Sequence, residues 1–413
     1  MKALVYGVEA QPQPTPEGAN ELERGLATTP MKLIEVDEPK RFGPDWVIVE
    51  SRLTGICGSD SKQVFGDFGD SYESPMAALA TFPQILGHEC VGSVSELGPE
   101  ARGLEVGQRV VLNPWLSCAP RGIDPPCVFC ARGDLSLCAN FRRGRLTTGI
   151  HSGTSSDGTG GFAERFPAHV SMLHPIPDEM PDEVAVLADP FAVSLHSVTR
   201  NPPAPESRVL VYGAGALGST HIAILRALFP DVEVGVVARF PAQVELARKF
   251  GATRVFDDPF DRMQLIEDIC AWSGGEVLET PRGLPMAFPG GIDVVYDTIG
   301  KAQTLEVGSR VLRARGTLVQ AGVHGAERWE STPVYFKEIR LVGSNAFGFE
   351  EVEGVRKHGI QHYLDLASSG QIDLGGLLTH TFSLDAWRDA FHALANQGDS
   401  GAMKVAFDFR SSR

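Results

Sequence analysis

Four of the seven cysteines lie between Cys118 and Cys138, in the stretch CAPRGIDPPCVFCARGDLSLC. Such a density is typical of a disulfide framework, a metal site or a set of reactive thiols. The N-terminal segment MKALVYGVEAQPQP lacks the apolar core of a secretory signal, so we expect a cytoplasmic protein whose thiols stay reduced. An odd number of cysteines, four of them clustered, therefore favours a metal site.

A second group of candidate residues lies in two short motifs. GICGSD contains Cys57 and Ser59, and ILGHECVG contains His88 and Glu89. Thiolate, imidazole and carboxylate groups are the side chains that bind zinc. Taken singly, each has a plainer explanation, because a lone cysteine packs as a small apolar side chain and a lone histidine is usually satisfied in a core.

A third motif predicts a dinucleotide site. Gly213, Gly215 and Gly218 form G-x-G-x-x-G directly after the apolar segment RVLVY and at the start of STHIAILRALF, which has helical spacing. The glycines allow a tight turn and the close approach of a pyrophosphate to a helix N-terminus. The alternative is a glycine turn in an α/β sheet that binds no ligand.

The cofactor preference depends on the residue about 20 positions after the glycines, where NAD-selective sites place an acid to bind the ribose 2′-hydroxyl. Here the second strand, EVGVVAR, ends in Ala238 and Arg239. Because an arginine can pair with a 2′-phosphate, the sequence favours NADP over NAD. An arginine stacked on adenine would also tolerate NAD, and a solvated arginine at a strand end is the plainer alternative.

The surrounding elements predict an α/β protein of two domains. Strand-like segments such as DWVIVESRL and QRVVLN dominate the first part, with loop-like insertions at 9–30 and 66–84. From RVLVYGAGALG onward, strands alternate with helices, which is typical of a parallel sheet, and GGEVLETPRGLPMAFPGG is interpreted as a loop insertion. The predicted boundaries are 1–195, completed by 346–413, for a β-rich domain and 196–345 for the dinucleotide domain.

The order of these motifs resembles that of the zinc-dependent medium-chain alcohol dehydrogenase family. The motifs are G-x-C-G-S-D, G-H-E, the cysteine cluster, GGFAERFPAHVSMLHPIPD and G-x-G-x-x-G, and they cover nearly the whole chain. The resemblance implies a GroES-like catalytic domain and a Rossmann domain with a doubly wound parallel sheet. It also implies a dehydrogenase that transfers a hydride between an alcohol, or its aldehyde or ketone, and NAD(P)(H).

The resemblance implies the ligands of a catalytic zinc. By position, Cys57 and His88 would bind the metal, and Glu89 would be a nearby carboxylate or an exchangeable ligand. Asp189, in LADPFAVSLHS, stands where relatives place their third protein ligand. Three protein ligands with one open position suit a catalytic zinc. The alternative for Asp189 is a helix N-cap, since Asp-Pro also begins helices.

The proton and the cofactor need further residues. The alcohol must lose its O–H proton as its carbon gives up hydride, and zinc can lower the pKa of a bound water to about 7. Ser59 matches the relay hydroxyl of the family, but Lys62 stands where many relatives have a histidine, so the rest of the relay stays open. SGAMKVAF resembles a segment whose basic residue meets the cofactor pyrophosphate, which makes Lys404 the candidate.

The resemblance also bears on the cysteine cluster. Relatives with a structural zinc space its ligands C-x2-C-x2-C-x7-C, whereas this chain reads C-x8-C-x2-C-x7-C. The additional residues, PRGIDP, lie in the first gap, where a longer loop costs only about 0.6 kcal/mol per doubling. In preference to a metal-free or redox-active cluster, we expect a structural zinc held by Cys118, Cys127, Cys130 and Cys138.

The amino-acid composition limits the kinds of molecule that the protein is expected to bind. The 413 residues include 37 basic and 52 acidic side chains, a formal net charge of −15, which argues against nucleic acid or an anionic membrane. We expect a small-molecule alcohol or carbonyl substrate, and the resemblance implies a homodimer or homotetramer.

Two alternative functions stay open. One is a zinc-free enone or quinone reductase of the same superfamily, whose members lack the Cys57/His88 pair. The other is a non-catalytic dinucleotide-binding redox sensor that uses the cysteine cluster.

Overall fold

The computed structural model describes residues 1–67, 75–257, 261–323, 325 and 327–410, so residues 68–74 of the predicted insertion at 66–84 lie outside the described part. The chain divides into two units. The first unit comprises Met1–Ala192, Phe347–Gly370 and Leu378–Arg413, and the second comprises Val193–Ala346 and Gln371–Leu377. The sequence assigned the whole of 346–413 to the first domain, whereas Gln371–Leu377 groups with the second unit.

The first 200 residues are rich in strands. The strands are β1 (Lys2–Tyr6), β2 (Met31–Glu35), β3 (Trp46–Gly55), β4 (Gln84–Ile85), β5 (Glu89–Leu97), β6 (Arg109–Leu112), β7 (Arg165–His169) and β8 (Leu173–Pro175). The helices are α1 (Glu21–Thr28), α2 (Gly58–Phe65), α3 (Val128–Arg132), α4 (Asp182–Ala185) and α5 (Ala188–Arg200).

Helix α1 lies inside the segment 9–30, which the sequence predicted as a loop-like insertion. Its N-cap, Asn20, accepts a hydrogen bond from the backbone N of Glu23, and the Glu23 carboxylate accepts one from the backbone N of Asn20. This reciprocal pair is a capping box, and the N-x-x-E spacing was the available signal. Leu26 and Ala27 are buried on the apolar side of the helix. The amphipathic pattern is short, and the prolines before it favoured the prediction of a loop.

The second unit is built on a six-stranded parallel sheet in the order β11-β10-β9-β14-β15-β16. This is the strand order of a doubly wound dinucleotide fold, which confirms the predicted Rossmann architecture. The predicted loop insertion contains a small antiparallel pair, β12 with β13. The elements are β9 (Arg208–Tyr212), α6 (Ala216–Leu228), β10 (Glu233–Ala238), α7 (Pro241–Lys249), β11 (Arg254–Asp257), α8 (Arg262–Ser273), β12 (Val277–Leu278), β13 (Met286–Ala287), β14 (Ile292–Asp297), α9 (Ala302–Val311), β15 (Leu312–Gln320), α10 (Thr332–Phe336) and β16 (Arg340–Gly343).

The C-terminal part returns to the first unit. Its elements are β17 (Phe349–Val352), β18 (Val355–His358), α11 (Gly359–Ser368), β19 (Leu378–Phe382), α12 (Trp387–Ala395), α13 (Gln397–Ser400) and β20 (Lys404–Asp408). The tail, HTFSLDAWRDAFHALANQGDSGAMKVAFDF, predicts a strand, a helix and a strand, and these are β19, α12 and β20. Strands β19 and β20 join a seven-stranded sheet in the order β19-β20-β3-β5-β6-β8, and β7 also pairs with β3.

Strand β3 is the centre of that sheet. The alternating pattern of DWVIVESRL predicted a half-buried strand, but eight of the ten residues of β3 are buried. Both edges of β3 are paired, one with β5 and the other with β7 and β20. Among the described residues, no helix is long and apolar enough to cross a membrane.

Candidate functional site

The pairing of β3 with β5 brings together the predicted catalytic residues. The strands are antiparallel, and Gly55 lies opposite Glu89. Cys57 follows the end of β3 and His88 precedes the start of β5, so both lie at the same end of the pair. The ligand atoms of Cys57, His88 and Glu89 all lie within 4.8 Å of one another. With metal–ligand bonds of about 2.0–2.3 Å, tetrahedral ligand atoms lie about 3.3–3.8 Å apart, so this group is dense enough for zinc.

Glu89 also forms an ion pair. Its Oε2 pairs with the ammonium of Lys404, and both side chains are almost fully buried, at 1% and 3% exposed. Lys404 Nζ donates a second hydrogen bond to the backbone O of Ile56 at 3.0 Å. Burial opposes the charge on Lys404, but the neighbouring Glu89 carboxylate raises its pKa above the ordinary value. The sequence proposed Lys404 as a contact for the cofactor pyrophosphate, whereas the structure places its ammonium in this buried pair.

Asp60 is a site residue that sequence reasoning missed. It is buried, its Oδ2 accepts a hydrogen bond from the backbone N of Cys57 at 3.0 Å, and its Oδ1 lies 3.5 Å from Nδ1 of His88. Burial would lower the pKa of His88, but the charge on Asp60 raises it well above the usual value. A carboxylate on Nδ1 orients the ring so that Nε2 can bind a metal. The residue was visible in GICGSD, but an acid in a first helical turn normally stabilises only the helix.

Asp189 lies in the first turn of α5, one residue after the helix begins, and not at the position before the helix. It is 4% exposed, and its Oδ2 is buried without a hydrogen-bond partner among the described residues. Burial raises the pKa of Asp189 to about 7, and the charges of His88 and Glu89 also act on it. A buried carboxylate oxygen without a donor is costly, and a nearby cation would remove that cost. The donor set of thiol, imidazole and unpartnered carboxylate therefore fits a zinc ion, although Asp189 is not part of the tight group of three.

The remaining predicted residues near Cys57 lie on α2. Ser59 is half-buried in the first turn of that helix, and Lys62 is half-buried one turn later. The role of Ser59 in proton transfer stays a prediction. Phe191, two residues after Asp189, is fully buried and packs on Tyr363 with ring centroids 4.8 Å apart, so it belongs to the core.

His151 lies beside the candidate metal site, in the segment HSGTSSDGTGG, whose Gly and Ser content predicts a loop. The rings of His151 and His88 have centroids 4.6 Å apart, and the ring of His151 meets Trp115 edge-on at 5.7 Å. Burial, with the adjacent His88, lowers the pKa of His151 to about 3, so its ring is neutral. The segment HSGTSSDGTGG has no local pattern that predicts where His151 lies, because the position of its ring depends on how the loop packs against the rest of the unit.

The four clustered cysteines form a second candidate metal centre. Their sulfur atoms lie within 4.8 Å of one another, and the Sγ atoms of Cys118 and Cys138 are 3.6 Å apart. Four sulfurs at about 2.3 Å from a zinc ion would be separated by about 3.8 Å, whereas a disulfide would need about 2.05 Å. All seven cysteines, which lie within the described residues, are free thiols. Asn140 Nδ2 donates to Cys118 Sγ at 3.2 Å, one of several N–H groups that would stabilise thiolates here.

The long first gap of the cluster contains a buried arginine. Arg121, within PRGIDP, is 1% exposed, and all of its guanidinium hydrogen bonds go to backbone oxygens. The acceptors are Leu116, Arg143, Leu146, Thr147 and Gly149, at 2.7–3.0 Å. The inserted residues therefore have a structural role, because Arg121 holds the segment 143–149, which leads to His151.

The glycine turn of the second unit lies between β9 and α6. Gly213 has φ of +98°, and a Cβ on Gly218 would overlap the backbone O of Gly213, so both positions require glycine. Gly215 is the N-cap of α6 and has no atom within 4 Å of its missing Cβ. The turn therefore leaves open space at a helix N-terminus, as a pyrophosphate site needs. Arg239 follows the end of β10 and is exposed.

Comparisons with known proteins assign the family. Residues 43–178 match the alcohol dehydrogenase GroES-like domain, and residues 216–359 match the zinc-binding dehydrogenase domain. A probable D-xylulose reductase A of Arthroderma otae is 31% identical over 84% of this chain and 85% of its own length. The chain therefore belongs to the zinc-type medium-chain dehydrogenase family, and the predicted family and fold class are confirmed.

Solved structures with bound cofactors share this fold. A putative zinc-binding dehydrogenase of Sinorhizobium meliloti, bound to NADP, is 27% identical with a TM-score of 0.66, covering 92% of this chain and 95% of that one. An Escherichia coli alcohol dehydrogenase complexed with NADH is 21% identical with a TM-score of 0.73, covering 99% of each chain, and shows the fold alone. The relatives are oxidoreductases, which supports a nicotinamide-dependent dehydrogenase.

The role of Arg121 can be tested by Arg121→Lys. An ammonium cannot reach all of the carbonyls that the guanidinium binds, so we expect a loss of about 2–4 kcal/mol in the free energy of unfolding, measured by denaturant titration. The control is Arg102→Lys, because Arg102 also donates to backbone oxygens, those of Pro99 and Ala101, but is exposed. It should cost less than about 0.5 kcal/mol. Equal effects of the two substitutions would contradict the role of Arg121.

Proposed function

We propose that this protein is a zinc-dependent alcohol dehydrogenase. In the oxidative direction, the carbon that bears the hydroxyl loses a hydride to the nicotinamide, the cofactor is reduced, and the hydroxyl proton leaves to solvent. The observation that carries the proposal is the group of Cys57, His88 and Glu89, whose ligand atoms lie within 4.8 Å of one another. The charge of His88 also acts on Asp189, whose buried Oδ2 has no donor among the described residues. Bound zinc would supply a Lewis acid that makes the hydroxyl proton easier to lose.

The residues of the chain have separate tasks in this proposal. Cys57, His88 and Asp189 hold the metal, and Asp60 fixes the His88 ring through Nδ1. Glu89, paired with Lys404, is the carboxylate available for exchange at the metal. Ser59 accepts the hydroxyl proton and passes it on. The relay beyond Ser59 has no histidine at the position of Lys62, so its later members are not assigned.

The four-cysteine cluster is proposed as a structural zinc site. The sulfur spacing of 3.6 Å between Cys118 and Cys138 suits a tetrahedral cage, and all four positions are filled by protein, which leaves none open for a substrate. The four thiols must stay reduced to bind zinc, which supports the cytoplasmic location proposed from the sequence.

The proposed assembly is a homo-oligomer. Strand β16 is at the edge of the parallel sheet, and Leu341 on that strand is 46% exposed. Tyr335 and Phe336, just before it, are 85% and 64% exposed. An exposed strand edge with apolar side chains is a surface that a second copy could cover, so these residues support a dimer.

The metal assignment predicts the outcome of Cys57→Ser. Wild-type protein purified without chelator should contain about two zinc ions per chain, and the variant about one. Turnover should fall by at least about 10³-fold, while the dissociation constant for the dinucleotide stays within about threefold, because the glycine turn is untouched.

The control for this measurement is Cys270→Ala, since Cys270 is a buried cysteine of α8 outside both clusters. It should retain about two zinc ions and wild-type turnover. A fully active Cys57→Ser variant would contradict the catalytic metal, and wild-type protein without zinc would favour a redox sensor.

The cofactor assignment predicts a preference for NADP that depends on Arg239. We expect Arg239→Gln to lower kcat/KM for NADP about 10- to 100-fold, the value of a charge-assisted contact with phosphate, and to change kcat/KM for NAD less than about threefold. Arg248→Gln, on the exposed side of α7, is the matched control and should change neither value. A wild-type protein that strongly prefers NAD would overturn this assignment.

A further inference from the structure

A cavity of about 320 Å³ lies in the first unit and shares no lining residue with either candidate metal site. It is enclosed by three segments, which are the exposed chain around Gln11 and Gln13, strand β2, and the start of α12. Its volume is at the lower end of the range of small-molecule sites, about 300–1,000 Å³. The predicted insertion at 9–30 therefore forms one wall of a cavity with room for a small ligand.

The cavity follows the unpaired edge of β2, which is the end strand of a sheet in the order β2-β1-β4. The four consecutive residues 31–34 line it, and because consecutive side chains point to opposite faces, the cavity runs along the strand edge. Leu33 lies opposite Leu4 of β1, whose backbone N donates to the backbone O of Phe162 at 2.8 Å, away from β2. The N–H and C=O of Leu33 therefore point to the unpaired edge.

Two cationic side chains line the cavity. Lys32 lies on β2 and Arg388 on α12, and neither has an ion pair among the described residues. None of the residues that line the cavity is acidic. In a chain with 52 acidic and 37 basic residues, two cations that share a cavity without an acid indicate that their counter-charge comes from a ligand.

The guanidinium of Arg388 is held in place by its neighbours. It lies over the ring of Trp387, 4.3 Å from the centroid, and its Nη1 donates to the backbone O of Leu26 at 3.2 Å. Burial lowers the pKa of Arg388, because the charge is partly removed from water. A guanidinium has five N–H donors, so donors remain for a ligand, and its planar fork matches a carboxylate or a phosphate.

A plainer explanation accounts for Lys32 alone. Charged side chains, above all lysine, commonly protect an exposed strand edge from pairing with another chain. That explanation does not extend to Arg388, which lies on a helix and is half-buried. Partial burial of a charge without a counter-charge is unfavourable, and protection of a strand edge does not require it. A bound anion explains both cations.

We propose that this cavity binds a small anionic molecule through a carboxylate or phosphate group. The group would accept hydrogen bonds from the guanidinium of Arg388 and from the backbone N–H of Leu33, and pair with the ammonium of Lys32. The occupant is not the alcohol substrate, since the cavity shares no residue with the candidate active site. The inference is therefore independent of the proposed function.

The test is calorimetric titration of the zinc-loaded protein, at low ionic strength, with succinate, with inorganic phosphate and with succinamide, the neutral analogue of succinate. We expect at least one of the two anions to bind at least about tenfold more tightly than succinamide. Arg388→Gln should weaken that binding at least about tenfold, and Arg388→Lys, which keeps the charge but loses the fork, should weaken it less. Tighter binding of succinate would identify a carboxylate ligand, and tighter binding of phosphate a phosphorylated one.

Lys32→Gln is a second, independent variant, and it keeps the test decisive if Arg388→Gln does not fold. It should weaken binding of the anion at least about threefold. The matched control is Lys40→Gln, which removes one exposed cation of the same unit outside the cavity and should leave the affinity unchanged. Neither anion binding more tightly than succinamide, or binding that the Arg388 and Lys32 substitutions leave unchanged, would overturn the inference.

Discussion

The antiparallel register of β3 and β5 is the constraint on which the candidate active site depends. With Gly55 opposite Glu89, the thiol of Cys57, just after β3, and the imidazole of His88, just before β5, meet at one end of the pair. A slip of one residue would turn the side chains of one strand to the other face and separate the ligands. Strand β20 pairs with the other edge of β3 and brings Lys404 to Glu89, so segments some 300 residues apart in the chain share one buried site.

The buried charges around this site are almost, but not fully, compensated by the protein. Asp60 faces His88, and Glu89 faces Lys404. Asp189 keeps a buried oxygen without a donor among the described residues, and burial is the main cause that raises its pKa to about 7. A divalent cation held with Cys57 and His88 would supply the missing counter-charge, which is why the arrangement is better explained by a metal site than by structural packing.

The features that could be predicted from the sequence are those that depend on residues close together in the chain. The glycine turn and the order of strands and helices follow from local periodicity, and these identified the Rossmann sheet. Asp60 and the Glu89–Lys404 pair could not be recognised as partners, because their contacts depend on how distant strands pair. The same holds for Arg121, whose role appears only once its carbonyl partners surround it, and for His151, whose neighbours come from a bridge to Trp115.

The most direct test of the site assembled by β3 and β5 is anomalous diffraction at the zinc absorption edge from crystals of the protein purified without chelator. The account predicts two anomalous peaks per chain. One should lie among the sulfurs of the four-cysteine cluster, and the other should be bound by Cys57 Sγ, His88 Nε2 and a carboxylate oxygen of Asp189. A single peak at the four-cysteine cluster, or a second peak whose ligands exclude Cys57 and His88, would contradict it.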